Sequence, residues 1–356
     1  VGLTISGLLS PIFLLNIMDG SNKFFLKNPT YANQLGAAIK SYTSGILILL
    51  LVLFYFIYFY SNLDPLLIKV SFYLIIFRLL FKIIIYRFEI YQELIKTFIL
   101  NILVEFGSLI FVFIYLSNNI DPNIEVIPIS LLLITFLISI VRCKAVYNFN
   151  FFYLIKSWTK FKEPIKVSLK LLPAPYLIIL IQSTDVLLLS WLIGFDANGI
   201  YHIANSIALL VSMLSASLSY FWYSSATLSK PKLIQNILEK SVYLYLVFII
   251  PLFLFFFYLS KYIFILLFSF DAHLVTSFLA MGYFTLFFTQ MFHGFFYSSS
   301  YYHLIVKVSF FTFCLNVIFS FFLIKQYEIN GAGFATFLSY VLGYCYCIYV
   351  YKKIKK

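Results

Sequence analysis

The chain has 356 residues, 63% of them hydrophobic, 21% aromatic and only 11% charged, with a mean hydropathy of +0.98. A water-soluble core cannot absorb so large an apolar share, so lipid is the solvent for most of the chain, and soluble enzyme classes are excluded. The net charge of +12 does not point to nucleic acid, because the basic residues lie between apolar segments rather than in one patch.

In chain order, eleven apolar segments reach spanning length, roughly 1–22, 43–61, 66–85, 97–117, 124–142, 171–193, 200–224, 238–260, 273–297, 303–324 and 330–351. Threading them alternately puts 21 of the 25 Lys and Arg residues on one set of loops and only Lys69, Lys261 and Lys325 on the other, with Arg78 left inside a span. The positive-inside rule therefore places the first set, the long basic segment 143–170 and the Lys352–Lys356 tail in the cytoplasm. The opposite loops are short and mildly acidic. Residue 1 is valine, no charged n-region precedes the first apolar run, and that run points outward-to-inward. The expectation is a chain lacking about one N-terminal span, with eleven helices seen of twelve.

An internal repeat supports that count. Gly2 through Phe24 slides onto Gly199 through Phe221 at a constant offset of 197, pairing the first span with the seventh. The expected architecture is an all-α polytopic membrane protein with two pseudo-symmetric six-helix lobes around a central cavity. The divisions are 1–142 for the N-terminal lobe, 143–170 for a cytoplasmic basic linker and 171–356 for the C-terminal lobe. Within the linker, Phe149–Lys162 alternates aromatics with lysines, which suits a helix lying in the membrane interface.

The second lobe opens on the most informative stretch, Gln182 to Trp222. One apolar segment carries Gln182, Ser183, Thr184 and Asp185 in a row. A tight polar turn, Gly194 to Gly199, then leads into a segment with a small and polar stripe at His202, Asn205, Ala208, Ser212, Ala216 and Ser219. A carboxylate flanked by apolar residues is costly in hydrocarbon, so Asp185 is expected to face a protein-lined or wet cavity. Helix packing in membranes also favours Ala and Ser, so the stripe fits either a solute path or plain packing.

The run Leu171-Leu-Pro-Ala-Pro175, then Asp185, then Gly194 and Asn198-Gly-Ile-Tyr-His-Ile-Ala204 resembles the start of the second lobe in Wzx-type polysaccharide flippases, of the superfamily that also holds MATE drug exporters and lipid II flippases. Ile329-Asn-Gly-Ala-Gly-Phe-Ala-Thr336 is similar to that family's opening of its last helix. Met18-Asp-Gly20-Ser-Asn-Lys23-Phe is similar to its glycine before a basic-aromatic cytoplasmic end, with Asp19 a departure. The resemblance implies movement of undecaprenyl-pyrophosphate-linked oligosaccharide (O-antigen, lipopolysaccharide or capsule repeat units) across the bacterial inner membrane. It implies alternating access, no enzymatic activity and no cofactor. The partners it implies are the lipid-linked oligosaccharide, membrane lipids, H⁺ or Na⁺ as coupling ion, and a polysaccharide polymerase with chain-length proteins.

The residues for such work are few. Arg78 lies seven residues from the inner end of its span, about 10 Å deep at 1.5 Å per residue, and Glu105 in the next span comes out at about 12 Å. Arginine's planar fork suits a pyrophosphate, although Arg78 and Glu105 equally form a neutral pair. Gln182, Asn205 and His293 complete the candidate substrate contacts, and Asp185 is the candidate H⁺ or Na⁺ site. The four cysteines and the histidines show no metal spacing, and no Gly-x4-Gly-Lys-Ser/Thr loop exists. A MATE-type cation-coupled drug exporter is the alternative. A membrane-embedded polysaccharide polymerase or glycosyltransferase fits less well, because the outer loops are short.

Overall fold

The computed structural model describes residues 166–228, 231–267 and 270–355, with residues 54, 69, 72, 73 and 76, and leaves aside the side chains of 213–228, 231–233 and 267. Arg78, Glu105, the expected spans before residue 143 and the interfacial helix at 149–162 lie outside the described residues. The chain divides into two compact units, Val1–Leu172 and Pro173–Lys356. In the first, Phe54 stacks on Phe72 at 4.0 Å between ring centroids. The second is described almost throughout.

That second unit is all helix among the described residues: α1 (Pro173–Leu192), α2 (Phe195–Leu228), α3 (Pro231–Leu267), α4 (His273–Ser298) and α5 (Tyr302–Lys355). Four of the helical segments are long and apolar enough to cross a membrane. Proline opens both α1 and α3, where its fixed φ suits a first turn and its missing N–H costs nothing. The α1–α2 connection is shorter than the polar run 194–199 suggests. Gly194, at φ 127, ends α1 by donating its N–H to the Leu189 carbonyl, and α2 begins at once with Phe195. Asp196 sits in that first turn, where the helix dipole favours it. Asn198 bonds back to the Ser190 hydroxyl and clips α2 onto α1.

α5 is two helices in one. Glu328, at φ 52 and ψ −128, breaks it into a first arm and a second arm that folds back alongside. Glycine makes the return tight. A Cβ on Gly331 would lie 2.1 Å from the Leu323 carbonyl oxygen, and one on Gly343 would lie 2.1 Å from the Thr312 hydroxyl. The two expected segments 303–324 and 330–351 are these arms.

α4 is the centre of the unit and packs against α2, α3 and α5. Val275, Leu279, Ala280, Tyr283 and Phe296 on it are 0–1% exposed, whereas α3 turns Tyr243, Phe248, Phe255 and Tyr258 outward at 52–72%. The aromatic surplus therefore divides: α3 carries a lipid face, while Tyr245, Phe288, Phe292, Tyr344 and Tyr351 form an interlocked set with centroids 4.9–6.2 Å apart inside. Two faces of the unit are marked by contacts. Trp191 stacks near Phe321 and Val275 meets Gly333 at one end, and Lys355 bonds Glu239 at the other. At the first end Asp271 accepts from the backbone and ring nitrogens of His273. Partial burial opposes its ionisation, yet those bonds and nearby Lys261 hold its carboxyl below the usual range.

A carboxylate cage in the second lobe

Depth along each helix explains how the site assembles. Asp185 is seven residues before the end of α1, Tyr201 six residues into α2, and Ser320 and Thr336 stand eight residues either side of the Glu328 bend. At 1.5 Å per residue all four lie about 9–12 Å below the same end of the bundle. The hairpin of α5 thus delivers both its arms to the level of Asp185.

At that level Asp185 is fully buried and bonded from three directions. Tyr201 Oη donates to one carboxylate oxygen at 2.9 Å and Thr336 Oγ1 bonds the same oxygen. Ser320 Oγ donates to the other at 2.7 Å, where Asn316 Nδ2 also points at 3.4 Å. Asn316 and Ser320 are one helical turn apart and share a face of the first arm. Asn316 Nδ2 also reaches Thr336 Oγ1 at 3.2 Å, while its Oδ1 is buried without a partner. A carboxylate taken out of water is tolerable only when so surrounded. Ser183 and Thr184 take no part: their hydroxyls bond back to the carbonyls of Ile179 and Leu180.

A second layer lies one turn deeper. Gln182, Asn205 and Tyr283 are each ten residues from the corresponding end of their helices, about 15 Å down. Tyr283 Oη donates to Asn205 Oδ1 at 2.5 Å and is also hydrogen-bonded with Gln182. Sequence reasoning named Gln182, Asp185 and Asn205, and the fold places them on two adjacent layers. His293 sits elsewhere, buried near the far end of α4 with Nε2 unpartnered. Of the expected stripe on α2, Ala208 is buried, Asn205 and Ser212 are half-buried, and the side chains of Ala216 and Ser219 lie outside the described ones. His202 is exposed, and the buried face runs Tyr201, Ala204, Ala208, Val211. Among the described residues no three of His, Cys, Asp and Glu gather as a metal cluster.

Sequence reasoning missed Tyr201, Asn316, Ser320, Thr336 and Tyr283 as members of the site. The pair Asn316 and Ser320, polar at i and i+4 in an otherwise apolar helix, was the available signal.

No protein-family model matches the sequence, and no curated protein matches it. Solved structures do match in fold. The Vibrio cholerae MATE transporter VcmN, in a mutant form, superposes with a TM-score of 0.68 at 10% identity, over 99% of this chain and 86% of that one. The lipid II flippase MurJ, in an inward closed conformation, gives 0.60 at 16% identity, over 98% and 80%. An outward-facing multidrug resistance MATE family transporter of the MOP superfamily gives 0.58 at 11% identity, over 98% and 86%. At such identities the likeness carries the fold. The chain is an all-α, multi-pass membrane protein with the fold of these solved structures.

Proposed function

We propose that the chain is a flippase that carries undecaprenyl-pyrophosphate-linked oligosaccharide across the cytoplasmic membrane by alternating access, with H⁺ or Na⁺ bound at Asp185 as the coupling ion. The observation that carries the reading is the Asp185 cage, a fully buried carboxylate at which α1, α2 and both arms of α5 converge. Four segments tied to one anionic centre move together or not at all, so occupancy of that centre by a cation biases which arrangement of the lobe is populated. The donor set fits either ion. The carboxylate can take a proton, and its oxygens with those of Ser320, Thr336 and Tyr201 are the hard ligands that alkali cations prefer. The unpartnered Asn316 Oδ1 would complete that set. The fold shared with MurJ and with MATE transporters supports a transporter, and the large basic linker favours the lipid-phosphate branch over the drug exporter.

The test is Asp185→Asn in a bacterium lacking its own flippase. The expected outcome is loss of surface polysaccharide at normal membrane levels of the protein, because Asn keeps the shape and one acceptor oxygen and loses the charge. Proton uncouplers and sodium ionophores on the parent chain then separate the two ions. Full retention of surface polysaccharide with unchanged uncoupler sensitivity would sink the coupling role.

A further inference from the structure

The second arm of α5 carries a line of polar groups from the cage to the opposite end of the lobe. Thr336, Tyr340, Tyr344, Cys347 and Tyr351 follow at intervals of four, four, three and four residues, which holds one helical face. All five are buried, at 1%, 2%, 2%, 0% and 3% exposure. The line begins at Asp185, to which Thr336 is bonded, and Tyr340 lies within electrostatic reach of both Asp185 and Tyr283. It ends near the surface pair Lys355–Glu239, both of which act on Tyr351.

Three tyrosines on this line, Tyr340, Tyr344 and Tyr351, have buried hydroxyls with no hydrogen-bond partner of good geometry. Ser241 lies close to Tyr344; its hydroxyl donates to the Leu238 carbonyl at 2.6 Å, and its free acceptor site faces Tyr344 without reaching good hydrogen-bond geometry. A buried hydroxyl left unbonded is costly, and three on one stripe call for a common cause. Phenylalanine would fill the same space at no such cost, and the sequence uses it freely elsewhere. The spacing suggests the cause. Four residues advance a helix by about 6 Å, close to twice a hydrogen-bond length of about 2.8 Å, so one water molecule suits the step from Tyr340 to Tyr344, and the step of about 10 Å to Tyr351 takes further waters past Cys347. Buried water of this kind bonds polar groups that the protein itself leaves open.

We propose that this stripe is a water file connecting the Asp185 cage to the cytoplasmic end of the lobe, about 22 Å along α5, and that it is the inner route by which the coupling ion leaves or reaches the carboxylate. The file gives Asp185 access to one side of the membrane without opening the helices that enclose it. Glu239 stands at its mouth, paired with Lys355. The proposal rests on the coupling role of Asp185 for its purpose but not for its existence.

Cys347, in the middle of the stripe, supplies the probe. In the full chain with Cys143, Cys314 and Cys345 replaced by serine, Cys347 is treated in inside-out membrane vesicles with silver ion, a small thiol-reactive cation whose fixed charge keeps it out of lipid. Reaction is expected despite the complete burial of the side chain, several-fold faster than in right-side-out vesicles. Tyr351→Trp, which fills the mouth, is expected to slow it several-fold. The double variant Tyr340→Phe/Tyr344→Phe keeps the rings and removes the anchors for water, so it too should slow labelling, with no gain in melting temperature. The proposal is overturned if Cys347 stays unlabelled while a Lys352→Cys control reacts, if labelling comes from the outer side alone, or if the double variant labels normally and melts higher. Labelling does not involve Asp185, so a dry stripe leaves the Asp185→Asn result standing, and an innocuous Asp185→Asn leaves the file intact.

Discussion

At the scale of single residues, the cage is a matter of supply and demand for hydrogen bonds. Asp185 presents two oxygens in a site closed off from the surface, and Tyr201, Asn316, Ser320 and Thr336 meet them. Ser320→Ala removes the 2.7 Å donor and leaves one oxygen with only the longer Asn316 bond. Such a loss at a buried charged group is expected to cost about 1–3 kcal/mol, read as a lowered unfolding midpoint in detergent. In Asp185→Asn the same substitution should cost less, because the neutral amide demands fewer donors; equal costs in both backgrounds would mean that Ser320 serves packing rather than the carboxylate. Asp185 was legible in the sequence because a carboxylate inside an apolar segment is rare and expensive. Its partners were not, since Ser and Thr in membrane helices mostly bond their own backbone, as Ser183 and Thr184 do here. Only the fold separates the two cases, across 131 to 151 residues of sequence.

At the scale of elements, α5 shows how a bend is held. Glu328 occupies a backbone region that side chains with a Cβ rarely adopt, and the strain is held in place by the contact of Gly331 with the Leu323 carbonyl three residues beyond the bend. Glu328→Gly is expected to stabilise the protein by about 1 kcal/mol by removing the strain. Gly331→Ala is expected to destabilise it by about 1–3 kcal/mol, because a backbone carbonyl cannot swing aside as a side chain would. Thermal melts of the two variants in one detergent check both signs, and a neutral Gly331→Ala would show that the arms separate easily. The arms themselves were legible from composition, since 303–324 and 330–351 are each long enough to span. The manner of their return was not: glycine and alanine after Asn330 mark a close approach in the sequence without saying to what. In the same way the run 194–199 reads as a turn because it is polar, yet Gly194 alone makes the turn and the rest is the capped start of α2.

At the scale of the whole molecule, contacts mark two ends of the second unit. Trp191, Phe321, Val275 and Gly333 meet at one end, and Glu239 with Lys355 meets at the other, the end that the basic residues of the sequence lead one to expect in the cytoplasm. A buried carboxylate held by four helical segments suits an exporter of cationic drugs as readily as a flippase of lipid pyrophosphates. What distinguishes them is the charge offered to the cargo, and for that the sequence provides Arg78, which lies outside the described residues. In the flippase reading Arg78 binds phosphate about 10 Å from the cytoplasmic end of its span, where a lipid pyrophosphate first enters. Arg78→Ala should then abolish surface polysaccharide in a flippase-deficient strain while leaving the protein in the membrane. Arg78→Lys should restore it only in part, because an ammonium keeps the charge and loses the bidentate fork. If Arg78 instead only neutralises Glu105, the exchange Arg78→Glu with Glu105→Arg restores transport, and the phosphate role falls. If no variant alters surface polysaccharide and the parent chain instead raises resistance to cationic drugs, the cargo is a drug and the exporter reading replaces the flippase.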